Sequence, residues 1–132
     1  RVPVFGHQDD ASEIPGTPIR TIKNTDTIKV GMLDITVIHT PGHTPGSICL
    51  LVGRYLFTGD TLYFQGPGES RGVDATEQLL KSITERLYIL PDDTILLPGH
   101  GPQGILGGAK ELYRGFVKQY PDLLPRIPGE PR

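Results

Sequence analysis

Glycine and proline punctuate this chain so densely that most uninterrupted segments have room only for a short strand. Thirty of the 132 residues are one or the other, and both residues break regular elements or close the turns between them. This share lies just below the roughly 25–30% at which low-complexity disorder sets in, so the chain is expected to fold with many shaped loops. Between the breaks, Val2–His7, Ile19–Lys23, Thr27–Val30, Leu33–His39, Ile48–Val52, Tyr55–Thr58 and Thr94–Leu97 have the β-branched, aromatic and apolar content of strands. In Leu33–His39, residues Leu33, Ile35, Val37 and His39 alternate with Asp34, Thr36 and Ile38, which gives one apolar and one mixed face.

One segment escapes the punctuation. Asp74–Leu90 places Leu79, Leu80, Ile83, Leu87 and Leu90 at helical spacing, with Asp74 and Glu77 in a capping-box arrangement and Pro91 as the stop. A second helix is expected over Ala109–Tyr120, closed by Pro121, followed by a Pro-rich tail over 121–132. Strands precede helices instead of alternating with them, so the class is α/β in the layered, α+β sense, in a single domain over 1–132.

Composition removes several function classes. Thirteen basic against fifteen acidic side chains leave a net charge of −2, which argues against nucleic acid or an anionic membrane as the main partner. No apolar run approaches the roughly 20 residues of a membrane span. The single Cys49 cannot close an internal disulfide, which suits the cytoplasm or the mitochondrial matrix. Within the apolar run ICLLV it reads as a core residue.

Three residues share an unusual setting. His43 in TPGHTPG, Asp60 in YLFTGD and His100 in LPGHG each follow a glycine at the end of an expected strand, where the backbone can approach an ion closely. Zinc, iron and manganese accept imidazole and carboxylate ligands. Each residue also has a plainer reading as a solvated or structural loop side chain, and the residues alone leave both open. His39 reads as a packing residue or one that orients a loop or ligand by hydrogen bond. His7, beside Asp9 and Asp10, reads as a loop residue, and Asp92-Asp93 as a turn.

VIHTPGHTPGS, YLFTGDTL and LPGHGP, with seventeen residues from His43 to Asp60 and forty from Asp60 to His100, resemble the second half of the metallo-β-lactamase superfamily, especially its glyoxalase II-like hydrolases. The resemblance implies half of an αββα sandwich. It also implies a dinuclear site, with zinc as the expected metal and iron or manganese as the other candidates. His43 would complete one metal site, His100 the other, and Asp60 would bridge both ions and carry the catalytic role. The HxHxDH motif that supplies the family's remaining ligands is absent from these 132 residues, which leaves two ligands per ion, whereas catalytic zinc usually has three plus water. A rearranged mononuclear site using all three residues is the alternative.

The resemblance thus implies a hydrolase of a small-molecule acyl thioester, or a related ester or lactone, that uses metal-activated water. This chain would be its C-terminal half, inactive alone and completed by the missing N-terminal half or by another chain. Tyr63 and Arg71 are the candidate substrate contacts. Arg71 is the one basic residue between the TGDTL loop and the expected helix at Asp74, and Gly101-Pro102 stands where glutathione-handling relatives resemble one another in a tyrosine. A reading from another class is a non-catalytic half-domain serving as an interaction module, since half a sandwich leaves one sheet face uncovered.

Overall fold

The computed structural model describes residues 2–131. The strands form where the apolar runs predict them: β1 Val4–His7, β2 Ile19–Ile22, β3 Thr27–Val30, β4 Leu33–His39, β5 Ile48–Val52 and β6 Tyr55–Gly59. A small hairpin, β7 Leu62–Tyr63 with β8 Gly66–Pro67, occupies the stretch between β6 and the first helix. It is followed by helix α1 Val73–Ser82, strand β9 Ile95–Pro98, the two-residue β10 Gly104–Ile105 and helix α2 Leu106–Gln119.

The main sheet runs β10-β9-β6-β5-β4-β3 and is antiparallel except at β6–β9. A parallel pair needs a crossover, and here α1 lies within it. β1 and β2 form a separate parallel ribbon. Its link to the main sheet is visible at His7, whose ring stacks on that of His39 at the end of β4, with centroids 3.9 Å apart.

The helix-side core joins Cys49, Leu56 and Leu96 from the sheet to Leu79, Ile83, Leu87, Leu106 and Tyr113, all almost fully buried. Ile38 packs against this core, so in β4 the mixed face is the one turned to the helices. The cleanly apolar face, with Ile35 and Val37, lies on the opposite side. The pairing register puts Leu50, Tyr55, Phe57 and Leu97 there as well, and Tyr55 and Phe57 remain 47% and 46% exposed. Strands apolar on both faces belong to a sheet covered on both sides.

The helix expected over Asp74–Leu90 is regular only to Ser82. Over Ile83–Leu87 it widens to a π-type turn, with the Tyr88 N–H bonded to the Ile83 carbonyl at 2.8 Å. Thr84 Oγ1 donates back to the Leu80 carbonyl at 2.9 Å, a bond of the type that competes with the helical ladder. The capping box does not form. Gly72, at φ 92°, occupies the cap position without a side-chain bond to the first turn. Among the described residues no helix is long and apolar enough to cross a membrane.

Candidate metal centre

Three loops at the same end of the main sheet carry the histidines and the aspartate. Between β6 and β9 the register shifts at Phe57/Gly59, and Gly59 adopts φ 51°. This irregularity turns the chain where Asp60 leaves the C-terminal end of β6, an interior strand of the sheet. The following turn is held by the Thr61 N–H on the Thr58 carbonyl at 2.9 Å and by Thr58 Oγ1 on the Leu62 carbonyl at 2.6 Å. Gly68 lies so close underneath that a Cβ there would stand 1.8 Å from the Asp60 carbonyl oxygen.

Asp60 sits at the centre. His100 Nδ1 donates to Asp60 Oδ1 at 2.7 Å, and the Tyr63 hydroxyl donates to the same oxygen at 2.9 Å. Hydrogen bonds to the ionised form favour it, so Tyr63 first and His100 second hold this carboxyl below the usual carboxylate range. The Tyr63 phenol is pushed up by burial and then by its bond to Asp60, which keeps it a proton donor.

His43 approaches from the other side. Its Nδ1–H donates to the Glu69 carbonyl at 2.7 Å, which makes Nε2 the lone-pair nitrogen of the neutral ring. That nitrogen faces Asp60 Oδ2 across 3.5 Å. Two electron-pair donors aimed at one gap call for a proton or a cation between them, and a histidine with its second nitrogen tied to a carbonyl is the usual arrangement of a metal ligand. In His100 the bond to Asp60 through Nδ1 likewise leaves Nε2 with the lone pair, on a side chain that is 78% exposed. The donor set therefore fits a metal in chemistry, while the three residues supply only part of the ligands that two ions need.

The remaining candidates fall nearby in different roles. Arg71 lines a depression of about 500 Å³ together with His43, Thr44, Glu69 and Gln78. His39 lies away from Asp60: its Nε2–H donates to the Pro45 carbonyl at 2.9 Å, so it steadies the loop that bears His43. His7 is a correction to the sequence reading, since it ends β1 and is only 6% exposed instead of lying in a loop.

With Asp9 and His39, His7 forms a second cluster of donor atoms within 4.8 Å of one another. Its geometry is wrong for an ion. The two rings lie 11° from parallel, and imidazole lone pairs lie in the ring planes, so stacked rings cannot aim at one point. His7 Nδ1 moreover accepts the Asp9 N–H at 3.1 Å. Cys49 is buried, with its thiol pushed up to about 11, which makes it a core residue and an inert nucleophile.

Sequence reasoning missed Asp10. Its carboxylate accepts the Thr44 hydroxyl at 2.5 Å through Oδ2 and the Gly46 N–H at 2.8 Å through Oδ1. The two ends of this clamp are 34 and 36 residues apart in the chain, and nothing local marks the contact.

Residues 3–122 match the family described as the metallo-beta-lactamase superfamily. A probable hydroxyacylglutathione hydrolase of Schizosaccharomyces pombe is 40% identical over 101 residues, covering 74% of this chain and 37% of that protein. The crystal structure of ETHE1 from Myxococcus xanthus is similar with a TM-score of 0.72 and 31% identity, covering 94% of this chain and 60% of that one. A protein solved in a di-iron-bound form is similar at 29% identity with a TM-score of 0.62, covering 80% and 61%. The chain spans about half the length of the curated relatives it matches, 58% and 50% for two mycobacterial proteins.

Proposed function

This chain belongs to the metallo-β-lactamase superfamily, and on that premise we propose that it forms the C-terminal share of a metal-dependent hydrolase of thioesters or related esters and lactones. One observation carries the reading. The His43 lone-pair nitrogen and an Asp60 oxygen face one gap, while the other Asp60 oxygen is held by His100 and Tyr63. In the intact protein His43, Asp60 and His100 would hold zinc, or iron or manganese in its place, together with ligands from an N-terminal half.

When bound, such ions supply Lewis acidity that activates water and polarises a carbonyl. This chain's residues do the rest. Asp60 stays ionised under the bonds from Tyr63 and His100, and the Glu69 carbonyl fixes the His43 tautomer. Tyr63 stands at the rim, where its ring can contact the substrate while its one hydroxyl proton stays on Asp60 Oδ1. In the reaction, water adds its oxygen to the acyl carbon, the C–S or C–O bond breaks, and the proton leaves with the thiol or alcohol.

The apolar sheet face opposite the helices is the surface on which we place the N-terminal half. Its exposed Tyr55 and Phe57 also favour the second reading, a non-catalytic half-domain bound to a partner through this face. Metal analysis and thioester hydrolysis, measured on the intact protein and on its His43→Ala variant, separate the two. The hydrolase reading expects bound metal and turnover that fall together in the variant. Unchanged metal and activity would remove His43 from the ligand set, and an intact protein with neither metal nor turnover would leave the interaction reading standing.

A further inference from the structure

Of the depressions around Asp60, the two beside His43 and His100 differ in chemistry. The one on the His43 side carries Glu69, Arg71 and Gln78. The one on the His100 side, about 560 Å³, is walled by Tyr63, Phe64, Pro67, Pro102 and Phe116. Among the described residues none of its lining side chains is Lys, Arg, Asp or Glu. Its volume falls within the range of small-molecule sites, roughly 300–1,000 Å³.

The apolar wall is built before any ligand arrives. The Phe64 ring lies against the backbone of Gly104 in β10 and Gly108 in α2, where an added Cβ would stand 2.3 Å and 3.1 Å from ring carbons. A side chain at either position would push the ring out of place. Across the cleft Phe116 is 46% exposed, an aromatic left half in solvent beside a reactive rim. The cleft opens onto that rim through Tyr63 and His100, the two residues hydrogen-bonded to Asp60.

Resting on the hydrolase reading, we propose that the substrate carries an uncharged aromatic or branched apolar group next to its scissile carbonyl, and that this group occupies the Tyr63–Phe64–Phe116 cleft. A charged group seated there would give up hydration and find no Lys, Arg, Asp or Glu in the wall to pair with it. Of these two depressions, the one on the His43 side has Arg71 to meet a substrate carboxylate. The site is thus two-sided, apolar beyond His100 and polar beyond His43.

The test uses the intact, metal-loaded protein and thioesters of N-acetylcysteamine bearing acetyl, butanoyl and phenylacetyl groups, with S-lactoylglutathione as the charged comparison. The proposal expects kcat/KM for phenylacetyl to exceed that for acetyl by about tenfold or more, the scale on which apolar pockets discriminate. Phe116→Asp should bring that ratio close to one. Gly108→Leu should do the same by displacing Phe64. Phe116 is a surface residue, so the first variant keeps the test decisive if the second fails to fold. Calorimetric titration with the non-hydrolysable S-phenethyl thioether of N-acetylcysteamine gives a readout independent of turnover. Saturable binding that Phe116→Asp weakens about tenfold supports the cleft even if no thioester is hydrolysed, in which case the hydrolase reading alone fails. A phenylacetyl-to-acetyl ratio near one, a preference for S-lactoylglutathione, or thioether binding indifferent to Phe116→Asp would overturn the proposal.

Discussion

Replacing Asp10 by alanine should loosen the loop that presents His43, at a cost that can be worked from two contacts. The carboxylate accepts one hydroxyl and one backbone N–H, and hydrogen bonds to a charged group contribute about 1.5–3 kcal/mol each. Asp10 is partly exposed, so the lower figure applies to both, for a total of about 3 kcal/mol. In a domain of 150–250 residues each kcal/mol lowers Tm by about 2–4 °C, so the expected drop is roughly 6–12 °C. Thermal unfolding of the intact protein followed by circular dichroism reads this directly. Asp10→Asn should recover about half of the loss, because its carbonyl can still accept the Gly46 N–H. Asp9→Ala serves as the control, since the Asp9 hydrogen bond to His7 is made by its backbone N–H and its half-exposed carboxylate approaches His7 Nδ1 only at 3.6 Å. If Asp10→Ala melts with Asp9→Ala, or if Asp10→Asn recovers nothing, the clamp is not what holds this loop.

Other expectations concern the ground beneath the site and the far side of α2. Gly68→Ala forces a methyl into the Asp60 carbonyl oxygen and should cost about 3 kcal/mol or more, with loss of activity beyond the loss of folded protein; a variant of near-native Tm would contradict the close approach. Lys110, 5% exposed, donates to the Leu90 carbonyl at 2.5 Å and to Asp92 at 2.6 Å. Lys110→Met should therefore cost about 1.5 kcal/mol for the charged donor to Leu90 alone, read by urea unfolding at neutral pH. Lys110 also holds the Asp92 carboxyl below the usual range. A lowered carboxyl pKa gives stability that is complete above the unfolded value and lost as pH falls through the folded one. The gap between wild type and Lys110→Met should accordingly narrow on acidification below about pH 4, and a gap that stays constant or widens there would contradict the pairing.

Much of the fold was legible because its signals are local. The runs bounded by Gly and Pro became β2 to β6 and β9 within a residue or two, since alternation and turn chemistry act over a few positions. The end of α1 was not legible. Leucine periodicity continues to Leu90, but the backward bond from Thr84 and the contact of Ser82 Oγ with the Pro41 carbonyl at 2.8 Å depend on tertiary neighbours. β10 has two residues and exists only through its pairing with β9. In the site, the Gly-His and Gly-Asp settings mark where ligating side chains can stand, and the structure brings His43, Asp60 and His100 together. The Glu69 carbonyl behind His43, the clamp by Asp10 and the bond from Tyr63 are contacts between segments, invisible to spacing.

Parallel pairing of β6 with β9 has a kinetic consequence. Asp60 and His100, forty positions apart, become neighbours only after the chain between them has collapsed into place and the ends of that long loop have met, which is the slow kind of closure. The grouping of side chains about Asp60 is then completed no earlier than this long-range docking. An ion that needs both side chains would report, by the moment of its capture, that the polypeptide has finished its search.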